Sequence, residues 1–345
     1  MVADFQHCRR RDRPRGGGTR CCIARTQGAE YRSEPGRRMI EEEIPPALAG
    51  DRLDRVVALL AELSRAQSAA LIAGGGVTID GAPALVGKVK LEQGQTISID
   101  TALLPDRERP RGDPSVQVNV VHVDDDVIVV DKQQGLVVHP GAGNPAGTLV
   151  NGLLALYPEI AAVGDPFRPG IVHRLDAGTT GLMVVARSAL AYESLVDQLS
   201  QRLVHRGYVA VVVGAFDSKT GVIDAAIGRD ARELTKMAVR VDGKMARTHY
   251  VVLREFREPI VASLVRCELE TGRTHQIRVH LAAVGHPVLG DATYGGVRST
   301  MPFPRPALHA MHLSFAHPSS GREMAFEAAP PADIQALVAR FSAGD

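Results

Sequence analysis

The chain has 345 residues, 45% of them hydrophobic and 23% charged, with a net charge of +1. That length suits two globular domains, and no apolar run approaches the roughly 18 residues that would span a bilayer. The near-neutral balance excludes a protein that attracts nucleic acid through its whole field, so any such site must be a local patch.

The charge is unevenly spread. Residues 1–38 hold ten arginines and four acids, a net of +6, which leaves the rest of the chain at −5. This head is rich in Arg and Gly, lacks periodicity, and cannot bury enough apolar surface to offset its ordering entropy. It reads as a disordered, RNA-attracting arm or as a non-native extension ahead of a true start at Met39. The second is preferred, because no pattern links the head to the rest of the chain. Cys8, Cys21 and Cys22 lie in it, and no CxxC zinc pattern occurs. Cys267 stands alone in an apolar run, as expected of an inert buried thiol in a reducing compartment. No secretory leader opens the chain, so the expected location is the cytoplasm.

A compact module is expected over residues 45–100. Leu53, Val56, Val57, Leu59 and Leu60 recur at helical spacing. Ser64 can cap a second helix containing Ala69, Ala70, Leu71 and Ile72, which Gly74-Gly75-Gly76 stops. Residues 77–80 alternate as a strand and turn at Asp80-Gly81, and residues 95–100 alternate again. Arg52-Leu53-Asp54-Arg55 and Ser64-Arg65 resemble the alpha-L RNA-binding module of the fourth small-subunit ribosomal protein. That resemblance implies RNA contacts at Arg52, Arg55 and Arg65; as ordinary helix-surface residues they need none. Residues 101–115, rich in proline and charge, read as a linker.

A second domain is expected over residues 116–340. Strands are expected at 116–123, 127–130, 171–172, 182–186, 208–213, 248–253, 261–268 and 276–280, and helices at 148–156 and 188–203. Strands outnumber helices and adjoin in sequence, which favours an α+β fold with a mixed, mainly antiparallel sheet. Residues 135–141 read as a further apolar strand ending in a turn. In residues 276–280, strand alternation would set Gln276, Arg278 and His280 on one face. An arginine facing a cleft needs an anion, and Asp176 is the candidate partner for Arg278.

Asp176 lies in His173-Arg174-Leu175-Asp176-Ala177-Gly178-Thr179-Thr180-Gly181-Leu182, a loop of small residues between two apolar runs. By itself it reads equally as a catalytic carboxylate or a solvated turn. A second motif is Gly272-Arg273-Thr274-His275-Gln276-Ile277-Arg278. Next come His286-Pro287-Val288-Leu289-Gly290-Asp291-Ala292-Thr293-Tyr294-Gly295 and Leu308-His309-Ala310 with Leu313, Phe315 and His317-Pro318. Four motifs in this order resemble the RluA/RluD-type pseudouridine synthases. Ala177-Gly178 stands where a Lys-Asp pair is common in that family, Thr180 where Ser is common, and Asp131-Lys132-Gln133 lacks the usual proline. These departures touch target choice more than activity.

The resemblance implies isomerisation of uridine to pseudouridine in RNA, expected to be 23S rRNA, by a monomer with no cofactor or metal. Asp176 would be the nucleophile, whether it attacks ribose or uracil or abstracts a proton. Arg278 would hold it ionised, and Tyr208 would stack on the base. Arg174 would fill the space left by the flipped base, bind a phosphate, or make a core ion pair. His173, Arg273 and His275 are further RNA candidates. The local patch is expected in Arg229, Arg232, Lys236, Lys244 and Arg247. His275 and His280 lack metal-site spacing, and no glycine run matches a nucleotide-binding signature. The rival is a non-catalytic RNA-binding protein on the same fold, which would be expected to have lost Asp176, Tyr208 or Arg278.

Overall fold

The computed structural model describes residues 39–63, 65–104, 108–141, 143–233 and 236–343. The readings of residues 1–38 and of a cap at Ser64 lie outside them. The chain divides into two compact units, Met1–Arg107 and Glu108–Asp345.

The first unit contains β1 (Met39–Glu43), α1 (Leu53–Leu60), α2 (Arg65–Ala73), β2 (Val77–Ile79), β3 (Ala82–Pro83) and β4 (Thr96–Asp100). Its antiparallel sheet has the order β1-β4-β2-β3. The helical spacing sends Leu53, Val56 and Val57 inward against Leu71, Ile72, Ile97 and Ile99, while Leu59 faces solvent. The sheet exceeds the expected hairpin by β1, whose Met-Ile-Glu-Glu-Glu sequence carries almost no apolar signal and pairs along the edge of β4.

The second unit runs β5 (Val120–Val123), β6 (Val127–Lys132), α3 (Leu149–Leu156), β7 (Thr180–Ala186), α4 (Ala189–Ser200), β8 (His205–Val213), β9 (Thr220–Asp224), β10 (Ile227–Arg229) and β11 (Met237–Val239). It continues with β12 (Arg247–Phe256), β13 (Ala262–Leu269), α5 (Gln276–Ala283), β14 (Leu308–Ala316), β15 (Glu323–Glu327) and α6 (Ala332–Ser342). The fold is α+β. One nine-stranded sheet has the order β5-β6-β7-β14-β8-β13-β12-β9, with β15 also on β14. Among the described residues β7 and β14 pair in parallel and the other ladders of this sheet are antiparallel.

Every residue of β7 is buried. Alternation sorts them: Met183 and Val185 pack with α3, α5 and α6, whereas Leu182, Val184 and Ala186 pack with α4. Gly181 is where β7 meets β14. Its φ is +113°, and a Cβ there would lie 2.2 Å from the Ala310 carbonyl oxygen, so only glycine fits.

Three expectations need correction, besides that of a strand at 171–172, where Ile171 makes only an isolated bridge with Val185. Residues 276–280 open α5 rather than forming a strand. Gln276 and His280, one helical turn apart, both reach Thr248 Oγ1, while Arg278 projects elsewhere. The alternation came from polar side chains with internal partners, not from a solvated sheet face. Residues 135–141 form no strand, because the carbonyls of Val137 and Val138 accept the first amides of α3. Part of the expected linker is also packed: Asn151 of α3 donates to the Arg111 carbonyl and accepts, through its own carbonyl, from Asp113 N. β9, β10, β11, β14, β15 and α6 extend the expected set of elements.

Candidate active site

The loop carrying Asp176 enters β7, and its backbone is fixed by two buried cations. Lys132, at the end of β6, gives Nζ to the carbonyls of Gln133 (2.9 Å), Leu136 (2.9 Å) and Ala177 (3.3 Å). Burial brings its ammonium down to about 8 against the pull of Asp176. Arg305 clasps Asp333 of α6 with Nε and Nη2, both at 2.8 Å, and sends Nη1 to the Gly178 carbonyl at 3.0 Å. The two carbonyls after Asp176 are thus anchored from opposite ends of the unit's sequence.

Asp176 meets α5 directly. Arg278 Nη1 lies 3.0 Å from Asp176 Oδ2. The other edge of the guanidinium is bidentate on Asp291, with Nε at 2.6 Å and Nη2 at 2.9 Å. Asp291 is fully buried and also accepts the amides of Thr293 and Tyr294, so it fixes the orientation of Arg278. Burial opposes the charge on Arg278, but the Asp291 hydrogen bond and both carboxylates raise its pKa further. The ring of Tyr294 lies under the guanidinium, 5.0 Å from centroid to Cζ.

His275 caps α5 in the left-handed region, at φ +58°. Its Nδ1 is 2.8 Å from the Tyr294 hydroxyl, which accepts from Met237 N, and its Nε2 is 3.9 Å from Asp176 Oδ1. Burial lowers its pKa, so the ring is held neutral despite Asp176.

Tyr208, on β8, is 5% exposed. Burial and the nearby Asp176 carboxylate keep it a phenol, against the pull of Arg206. The His173 ring turns inward and accepts Val184 N–H at Nε2, and burial with the neighbouring Arg206 drops its pKa to about 3. His173 is therefore a neutral acceptor that ties the loop to β7 while it lines the cavity. Arg174 is exposed, with Nη1 3.5 Å from His139 Nε2, and it makes no core ion pair among the described residues.

Asp176, Tyr208, Arg278, His173, Arg174, Arg273 and His275 line one cavity of about 480 Å³. Six arginines and two carboxylates, Asp176 and Glu270, contribute to its wall. The expected basic patch is not part of it. Lys236 pairs with Glu233, and Arg247 with Asp224 and Glu270, while Arg232 and Lys244 are exposed beside the β10–β11 ladder. That ladder rests on α5 through Met237, Tyr294 and Val279. In the first unit, Arg52 and Arg55 pair with Asp54 and Asp51. Sequence reasoning missed the positioning residues Asp291, Lys132, Arg305 and Asp333. Asp291 and Lys132 stood inside motifs already singled out, whereas nothing local marks a pair 28 residues apart such as Arg305 and Asp333.

The family model described as RNA pseudouridylate synthase matches residues 126–283, a span that holds Asp176, Tyr208 and Arg278. The ribosomal large subunit pseudouridine synthase D of Xanthomonas campestris is 44% identical over 324 residues, covering 90% of this chain and 95% of that protein. The chain belongs to the RNA pseudouridylate synthase family. The synthase is also 43% identical to the ribosomal large subunit pseudouridine synthase D of Nitrosomonas europaea, covering 89% of each chain. An uncharacterized RNA pseudouridine synthase of Bacillus subtilis, YlyB, is 42% identical over 84% of this synthase and 93% of that protein. Among solved structures, human RNA pseudouridylate synthase domain containing 1 matches with a TM-score of 0.50 at 27% identity, over 66% of this synthase and 96% of that chain.

Proposed function

We propose that the chain converts specific uridines of large-subunit ribosomal RNA to pseudouridine, with Asp176 as the nucleophile. The observation that carries this reading is the Asp176–Arg278 pair, 3.0 Å apart, in a cavity where arginines outnumber acids. The arginine aims the carboxylate into the cavity; the surplus of arginines suits an RNA backbone. Relatives named for the ribosomal large subunit support the choice of RNA.

The reaction breaks the N1–C1′ bond of uridine and joins C5 to C1′. The proton leaves C5 and one is gained at N1, so atoms and electrons balance without a redox partner. Asp176 holds the detached fragment while the ring turns. Tyr208, kept as a phenol, stacks on the uracil and stands within reach of its migrating proton. The target base must leave its stack to enter, at a cost of roughly a few kcal/mol. The first unit is read as an alpha-L RNA-binding module over residues 45–100, and the whole as a cytoplasmic monomer.

The test is carbodiimide-adduct primer extension on large-subunit rRNA from cells carrying Asp176→Ala. At least one pseudouridine stop disappears. An unchanged set of stops across the whole rRNA overturns the enzymatic reading and favours a non-catalytic RNA-binding role.

A further inference from the structure

Arg206 is a buried cation of the cavity for which the proposed chemistry has no task. It is 7% exposed, and its Nε is a buried nitrogen with no hydrogen-bond partner. Among the described residues its guanidinium has neither an ion pair nor a hydrogen-bond acceptor. The two acids of the cavity wall are engaged elsewhere: Asp176 by Arg278, and Glu270 by Arg202, Arg247 and His249. A guanidinium cannot shed its proton to escape this cost, and the adjacent His173 is neutral. A buried charge without a counterion is expensive, and its persistence here calls for an anion supplied from outside.

The surroundings make room for that charge. Arg206 and Tyr208 lie two residues apart on β8, on the same side of the strand and about 6.6 Å apart along it. Opposite them, a Cβ on Gly272 would come within 2.7 Å of Arg206 Nη1, so the missing side chain leaves space for the guanidinium. Gly272 has no left-handed φ that would otherwise demand glycine.

We propose that Arg206 is an anion subsite that takes an RNA phosphodiester next to the uridine stacked on Tyr208. This rests on the RNA reading of the cavity. The spacing along β8 is comparable with the distance from a base to the phosphate of its own nucleotide. A fixed charge there anchors the backbone while the base is extruded, a separate task from the chemistry at Asp176. Arg206 is thus a substrate-binding residue.

The test uses the full chain, an in vitro-transcribed 23S rRNA carrying 5-tritiated uridine, and Arg206→Met, Arg206→Lys and Gly272→Ala. Arg206→Met removes one phosphate contact, so the slope of log affinity against log salt falls by about 0.7–0.9 and kcat/KM by about 10- to 100-fold. Arg206→Lys keeps most of the slope; Gly272→Ala weakens binding with Arg206 intact. Removing an uncompensated charge leaves Tm unchanged or higher in the absence of RNA. A lower Tm for Arg206→Met with an unchanged salt slope means a structural role and overturns the proposal, as does an unchanged slope at equal Tm. If inorganic phosphate alone raises the wild-type Tm, fails to do so in Arg206→Met, and the RNA slope is unmoved, the ligand is free phosphate and the RNA assignment falls. RNA binding is read by fluorescence anisotropy, independently of turnover. A wild-type protein that releases no tritium therefore defeats the catalytic reading without touching this one.

Discussion

Single residues in this protein are defined by what compensates their charge. Arg278 has two carboxylates, and Arg206 has none. Asp124 shows the favourable extreme: its Oδ2 meets His122 Nε2 at 2.8 Å and His317 Nε2 at 3.2 Å, and its Oδ1 accepts the amides of Asp126 and Val127. Burial alone would raise its pKa, but the His122 and amide hydrogen bonds outweigh it and set the carboxyl at about 2. The ordinary unfolded value is about 3.9. A depressed carboxyl stabilises the fold above the unfolded pKa, and that stability is lost as pH falls from about 4 through 2. With the side chain 29% exposed, the contribution is about 1–2 kcal/mol. Asp124→Asn therefore lowers the urea midpoint at pH 7, and its deficit against wild type narrows below pH 4. A deficit equal at pH 7 and pH 3 would rule this out.

At the level of elements, the central crossing of β7 and β14 leaves no slack. Gly181→Ala forces a Cβ against the Ala310 carbonyl oxygen in a backbone conformation that L side chains avoid. A loss of about 3 kcal/mol or more is expected, read as a lower urea midpoint; a midpoint equal to wild type would refute it. Elements with a clean period were legible from the sequence: α1, α3 and α4 by helical spacing, β7 and β8 by apolar runs. α5 was misread because Gln276, Arg278 and His280 are all buried and all internally hydrogen-bonded, which erases the hydrophobic stripe of a helix. β1 was missed because an edge strand of glutamates has no apolar face. At the site, the meeting of Asp176 with Arg278 was legible because each lies in a motif, and Tyr208 lines the same cavity. The hold of Asp333 on the loop was not, since it acts through Arg305 and across sequence.

On the scale of the whole molecule, the described residues gather arginines in one cavity. Residues 39–104 carry nine acids and five basic residues. Two of those basic residues, Arg52 and Arg55, already pair with aspartates. The six-arginine cavity of the second unit is the stronger electrostatic feature. Replacing Arg52, Arg55 and Arg65 together by alanine should change the salt slope of RNA binding by less than about 1, because pre-paired cations release few counterions. A slope change near 3 in fluorescence anisotropy would instead make the first unit the main electrostatic clamp.

The anchoring of the Ala177 and Gly178 carbonyls has an evolutionary consequence. Lys132 and Arg305 grip main-chain oxygens, which every amino acid possesses, and Ala177 faces solvent. The address of the carboxylate is thereby written in backbone, and the side chain beside it is left as an open variable. Selection can vary the side chain at position 177 without renegotiating the position of Asp176.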